Sequence, residues 1–100
     1  MRIEVLYVED CPNYLLTLDR LRTVLREEGV DVDVQEVEVK DASTAERMGF
    51  IGSPTIRING LDIETGARTL VGVGFACRRY AGGLPSEAMI RAALQEARGD

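Results

Sequence analysis

Cys11 and Cys77 are the two thiols of a 100-residue chain that contains no histidine and no tryptophan. Without histidine there can be no Ser-His-Asp or Cys-His arrangement, no His-based zinc site and no ordinary general base near neutral pH. Any chemistry must come from the cysteines, carboxylates, tyrosines or backbone. Two cysteines 66 positions apart are too few ligands for a structural zinc site. They could bind a soft ion such as mercury or copper(I) only if the fold makes them converge. In a reducing compartment such a spacing reads as a catalytic or metal-binding thiol rather than a permanent cross-link.

The elements around Cys11 decide what its sulfur can do. Residues 2–9 alternate at Ile3, Val5 and Tyr7 and are also apolar at Leu6 and Val8, the pattern of a strand covered on both faces. Cys11-Pro12 follows, and proline suits a first helical position, so a helix is predicted from Pro12 with Cys11 or Asp10 as its cap. Tyr14, Leu18, Leu21 and Leu25 form its apolar stripe, Leu15 and Val24 widen it, and Gly29 ends it. This would set Cys11 at the positive end of the helix dipole, which favours the nucleophilic thiolate. Glu9 and Asp10 oppose it as neighbouring negative charges. The competing reading is a small cysteine packed at a turn. Tyr14 heads the apolar stripe and is expected to pack rather than to act as an acid.

Farther along, residues 30–39 alternate valine with acids and read as a second strand. Its phase slips at Gln35-Glu36, which predicts a bulge or an early end. Ser43-Thr44-Ala45-Glu46 has the spacing of a capping box and opens a short helix that closes near Gly49. Ser53-Pro54 precedes a strand from Thr55 that enters an Asn59-Gly60 turn. A cis bond at Pro54 would expose the backbone groups before it, which could then hold an extended substrate chain; the plainer reading is a trans proline at a strand start.

Residues 61–74 read mainly as loop. Residues 75–80 form a short strand that carries Cys77, and a last helix begins around Pro85-Ser86-Glu87 with Met89, Ile90, Ala93, Leu94 and Ala97 inward. The strand order second, first, third, fourth would have the first two strands parallel and the last two antiparallel to them. Cys77 would then end on the Cys11 edge, but two strand spacings of roughly 4.8 Å would still separate the strands, too far for a direct disulfide without movement. Cys77 is therefore either a resolving thiol or a small buried residue sharing a face with Phe75. Arg78 and Arg79 are expected to be solvated rather than to hold an anion.

Composition narrows the partners. Apolar residues make up 45% of the chain and charged residues 29%, enough for one domain over residues 1–100. The net charge is −5, with eleven acids and five bases in residues 1–41. That balance argues against nucleic acid, which calls for clustered positive charge. Neither a signal peptide nor a membrane-length apolar run is visible, so a cytoplasmic protein away from membranes is expected. Gly72-Val73-Gly74-Phe75-Ala76-Cys77 puts cysteine where a dinucleotide fingerprint has its last glycine, and is no sign of NAD.

Cys11-Pro12-Asn13-Tyr14 at a strand-to-helix junction, with Ser53-Pro54-Thr55 before a later strand, resembles the thioredoxin-like family, in particular its glutaredoxin-sized members. Asn59-Gly60 and Gly82-Gly83 are similar to the later turn and the glycine pair of glutaredoxins. The resemblance implies an α/β fold of order β-α-β-α-β-β-α, a four-stranded mixed sheet with helices on both faces. It implies Cys11 as the attacking thiol, Ser53-Pro54 as the segment facing it, and Pro12, Tyr14 and Thr55 beside the substrate. Tyr14 occupies the second cysteine's place in the familiar Cys-x-x-Cys, so exchange cannot be completed within that motif. A mixed disulfide at Cys11 would be resolved by an external thiol such as glutathione, or by Cys77. No other cofactor and no metal is implied. The expected activity is thiol-disulfide exchange with a protein or small-molecule partner. The alternatives are a non-enzymatic binder of a soft metal or thiol ligand on the same fold, and a scaffold that presents residues 61–74 to a partner.

Overall fold

The computed structural model describes residues 1–70, 78, 80 and 83–99. Among the described residues, four strands and three α-helices follow one another as β1 (Ile3–Tyr7), α1 (Tyr14–Glu27), β2 (Val34–Glu38), α2 (Ala42–Met48), β3 (Thr55–Ile58), β4 (Leu61–Asp62) and α3 (Glu87–Arg98), with a 3₁₀ turn at Thr65–Ala67. The sheet order is β2-β1-β3-β4. β1 and β2 are parallel, and both β1–β3 and β3–β4 are antiparallel. The result is a small α/β domain on an open mixed sheet.

Strand periodicity distributes the core. Ile3 and Val5 of β1 and Ile56 and Ile58 of β3 point to one face, where they pack with Leu18, Leu21, Val24 and Leu25 of α1 and Ile90, Ala93 and Leu94 of α3. Leu6 points to the other face and packs with Val39, Ala45 of α2 and Phe50. The same division explains the valine phase in the second strand. Val30, Val32 and Val34 pack on the α1–α3 side and Val37 and Val39 on the α2 side, with an unbroken register from Ile3↔Val34 to Tyr7↔Glu38. There is no bulge, and the strand begins at Val34 rather than Val30.

The hairpin from β3 to β4 corrects the expected loop over 61–74. Asn59 and Gly60 both have positive φ, 53° and 83°, as a two-residue turn matched to strand twist requires, so Ile58 pairs directly with Leu61. Asn59 also exchanges hydrogen bonds with the backbone of Arg2, which ties the turn to the start of β1. The fourth strand is therefore Leu61–Asp62, and it runs in the direction of β1. Of the strand expected over 75–80, only Arg78 and Tyr80 are described; Cys77 and Arg79 lie outside the described residues, as do Gly82 and positions 71–76.

Helix α2 starts two residues earlier than the Ser43 capping box predicts. Its cap is Asp41, whose carboxylate accepts from Thr44 N at 2.7 Å, while Gly49 closes the helix at φ 61°. α3 begins as expected, with the Ser86 hydroxyl accepting from Met89 N. In α1, 100° per residue turns Leu15 and Leu16 away from the stripe headed by Tyr14; they are 72% and 57% exposed, and Thr17 takes the inward position. Thr17 Oγ1 is buried with no hydrogen-bond partner among the described residues.

Two outcomes follow from these contacts. Thr17→Val removes a desolvated hydroxyl at nearly constant volume, so stability in urea should stay level or rise by about 1 kcal/mol; a loss of that size would show that the hydroxyl is in use. The hydrogen bonds from Thr44 hold the Asp41 carboxyl below the usual aspartate range. Its contribution is complete above the unfolded-state value, roughly pH 4, and is lost as pH falls through the lower folded-state value. Asp41→Asn should flatten the acid limb of the stability–pH curve, read from urea midpoints.

Candidate functional site

Cys11 sits in the turn that leaves β1. Its N–H donates to Val8 O at 3.3 Å and its carbonyl accepts from Tyr14 N at 3.3 Å, with Asp10 in the left-handed region at φ 62°. Cys11 is a free thiol, half-buried, while Pro12 beside it is exposed. The helix does not start at Pro12. Its first residue is Tyr14, its cap is Asn13, and its first α-type bond runs from Thr17 N to Asn13 O. Cys11 thus lies two residues before the cap. The favourable field of a helix end falls off within one turn, so it reaches this sulfur more weakly than a cap position would.

Tyr14 packs, as the apolar stripe implies. Its ring stacks on Tyr7 with centroids 3.9 Å apart and planes 7° from parallel, and its hydroxyl donates to the Glu36 carboxylate on β2. Arg22 meets the other oxygen of Glu36 at 3.5 Å. The position that would carry a second thiol is therefore a fixed aromatic link between β1, α1 and β2.

Hydrogen bonds connect the Cys11 turn to Ser53-Pro54. Val8, whose carbonyl receives Cys11 N–H, donates its own N–H to Ser53 Oγ at 3.1 Å. The Ser53-Pro54 bond is cis, and Ser53, Pro54 and Thr55 are all buried. The backbone before and at the proline is not open. Ser53 O accepts from Arg78 N at 2.7 Å, and Pro54 O accepts from the Tyr80 hydroxyl at 2.9 Å. That hydroxyl in turn accepts from Ile56 N at 3.3 Å. These two carbonyls are thus not free for an extended chain, because two later residues of the same chain fill them.

Arg78 is the site residue that sequence reasoning misplaced. It is 8% exposed rather than solvated. Its guanidinium makes a two-pronged ion pair with Asp62 at 2.6 and 2.9 Å, reaches Glu64 at 3.1 Å and Thr55 Oγ1 at 3.1 Å, and lies 4.0 Å from the centre of the Tyr80 ring. The Thr55 hydroxyl in turn donates to Gly52 O at 2.7 Å. Burial works against the Arg78 charge, but the Asp62 carboxylate, with Tyr80 and Glu64, outweighs it and holds the pKa above the usual arginine value. Burial pushes the Tyr80 phenol well up, so it serves as a neutral donor. Spacing held a signal for this cluster: Asp62 and Glu64 share one face just after the Asn-Gly turn, and Arg78 and Tyr80 are also two apart.

This is a domain of the α/β class in which a half-buried thiol sits in the turn after β1, joined through two hydrogen bonds of Val8 to a cis-proline segment. Residues 15–81 match the family described as a domain of unknown function, DUF2703, and the chain belongs to that family. The matched span begins four residues after Cys11 and takes in Ser53-Pro54, Asp62, Arg78 and Tyr80. No curated protein and no solved structure matches the chain. Among the described residues, no helix is long and apolar enough to cross a membrane, and no group of three metal-ligating side chains forms.

Removing one member of a buried ion pair strands the other charge. Asp62→Ala should cost about 3–5 kcal/mol in urea unfolding, and Asp62→Leu combined with Arg78→Met should recover much of that loss. Equal and additive losses would mean that the pair is not coupled.

Proposed function

We propose that this chain is a thioredoxin-like thiol-disulfide oxidoreductase in which Cys11 is the attacking thiol. The observation that supports the reading is the hydrogen-bonded route through Val8, which links the turn carrying a half-buried free thiol to the buried Ser53-Pro54 segment. The element order and the sheet order β2-β1-β3-β4 agree with that family resemblance. Since fold does not fix activity, the reading rests on the site.

The reaction is a sequence of two exchanges. Cys11 thiolate attacks one sulfur of a disulfide RS–SR′, forming Cys11–S–SR and releasing R′S⁻, which takes a proton from solvent. A second thiolate then resolves the mixed disulfide: a small thiol attacking the substrate sulfur frees Cys11 and leaves a new small disulfide, whereas Cys77 attacking the Cys11 sulfur expels RS⁻ and leaves a Cys11–Cys77 disulfide for an external thiol to reduce. Tyr14 is held by Tyr7 and Glu36 where a neighbouring thiol would stand, so the second thiolate is either a low-molecular-weight thiol such as glutathione or Cys77. Cys77 immediately precedes Arg78, whose backbone is anchored on Ser53, and this supports keeping it as a resolver. The partners are thiols and disulfides, and a reducing cytoplasm would keep Cys11 in its active form.

The test is reduction of a glutathione mixed disulfide by the parent chain, Cys11→Ser and Cys77→Ser. Cys11→Ser should lose exchange by at least about a hundredfold, since the nucleophile is gone. Cys77→Ser should keep it whenever glutathione is supplied if the route is monothiol, and lose the second step if Cys77 resolves. A parent chain that exchanges no faster than Cys11→Ser ends the enzyme reading. Stoichiometric binding of mercury or copper(I) that needs both cysteines would put a soft-metal binder in its place.

A further inference from the structure

Peptide recognition beside a sheet needs unpaired backbone groups, because main-chain hydrogen bonds supply the affinity. At Ser53-Pro54 the two carbonyls that could serve are already engaged. Ser53 is fully buried, its carbonyl holds Arg78 N–H at 2.7 Å and its hydroxyl holds Val8 N–H at 3.1 Å. Proline has no N–H to give, and the Pro54 carbonyl holds the Tyr80 hydroxyl at 2.9 Å. Beyond Pro54, β1 pairs β3 from Thr55 to Ile58, β4 pairs Arg57 and Ile58, and Ile56 donates its N–H to the Tyr80 hydroxyl and accepts from Ile63 N. Arg78 and Tyr80 are not loosely laid on this segment: the ion pair with Asp62, the contact with Glu64 and the cation–π contact bind them from behind.

We infer that Arg78 and Tyr80 occupy the backbone platform at Ser53-Pro54 in the manner of a bound chain, so that Cys11 exchanges with low-molecular-weight thiols and disulfides rather than with extended polypeptides. The inference rests on the thiol-exchange reading above and specifies its substrate class. What remains accessible to a substrate is the turn itself: half-buried Cys11 beside exposed Pro12, with exposed Glu9 and Asp10 immediately before it. Those two carboxylates favour small disulfides that are cationic or neutral over anionic ones. In the exchange, Cys11 thiolate takes one half of such a disulfide, the other half leaves as a thiolate and is protonated by solvent, and a second small thiol releases the adduct as a new disulfide.

The test compares two mixed disulfides with the same cysteamine leaving group, one on N-acetylcysteine amide and the other on cysteine at the centre of neutral heptapeptides of varied sequence. Both are reacted with Cys77→Ser, so that Cys11 is the only thiol, and adduct formation is followed by intact mass. Exchange protection of the Arg78 amide is read by NMR in each adduct. The expected result is rates that agree within about threefold whatever the flanking sequence, with Arg78 N–H equally protected in both adducts; two new backbone hydrogen bonds would instead give a peptide an advantage of roughly tenfold or more. A heptapeptide that reacts at that advantage, or that strips protection from the Arg78 amide, overturns the inference and leaves thiol exchange standing. Failure of both probes to react with Cys11 overturns the inference and the exchange reading together.

Discussion

The buried pair between Arg78 and Asp62 is the constraint on which the rest of the site depends. A guanidinium 8% exposed must have its charge and its hydrogen-bond donors met inside the protein, and here Asp62, Glu64 and Thr55 meet them. Asp62 can do so only because the Asn59-Gly60 turn folds β4 back beside β3, which brings the carboxylate level with Arg57 in the ladder. Once the guanidinium is fixed, the Arg78 backbone N–H reaches Ser53 O and the Tyr80 ring is held beneath it. The position of the Ser53-Pro54 segment therefore follows from an ion pair formed on the far side of β3.

A second fixed link acts on Cys11 from the opposite side. The Tyr7–Tyr14 stack and the bond from Tyr14 to Glu36 hold the first turn of α1 against β1 and β2. The Cys11 turn spans the gap between that link and Val8, which is itself bonded to Ser53. The thiol is thus carried on a short loop whose two ends are secured, while the loop residues Glu9, Asp10 and Pro12 face outward. Such a loop can present a sulfur without any regular element around it.

Much of this was legible in the sequence where one local rule decided the outcome. Alternation in β1, the inward stripe of α3 and the Asn-Gly turn depend on periodicity and on φ, and each formed where those rules put it. The starts of α1 and α2 differ from the expected ones because two caps compete within a few residues. Asp41 accepts from Thr44 N before Ser43 can serve as a cap, and Asn13 rather than Cys11 precedes the first helical residue. Tertiary contacts were hidden for a different reason. Two arginines in a row look like solvated surface until Asp62 and Glu64, 16 and 14 positions earlier, are brought against one of them by a hairpin whose second strand is two residues long. A strand that short leaves almost no periodic trace, so the residue that organises the site was indistinguishable from its neighbour in the sequence.

The aromatic residues have a practical consequence. The chain has three tyrosines and no tryptophan. Tyr7 and Tyr14 are stacked next to the Cys11 turn, and Tyr80 is bonded to Pro54. Every near-ultraviolet chromophore of this size in the molecule therefore borders the candidate site, leaving none elsewhere to dilute its signal. Tyrosine absorbance, emission and near-ultraviolet circular dichroism become label-free reporters of events at Cys11, available on the unmodified chain.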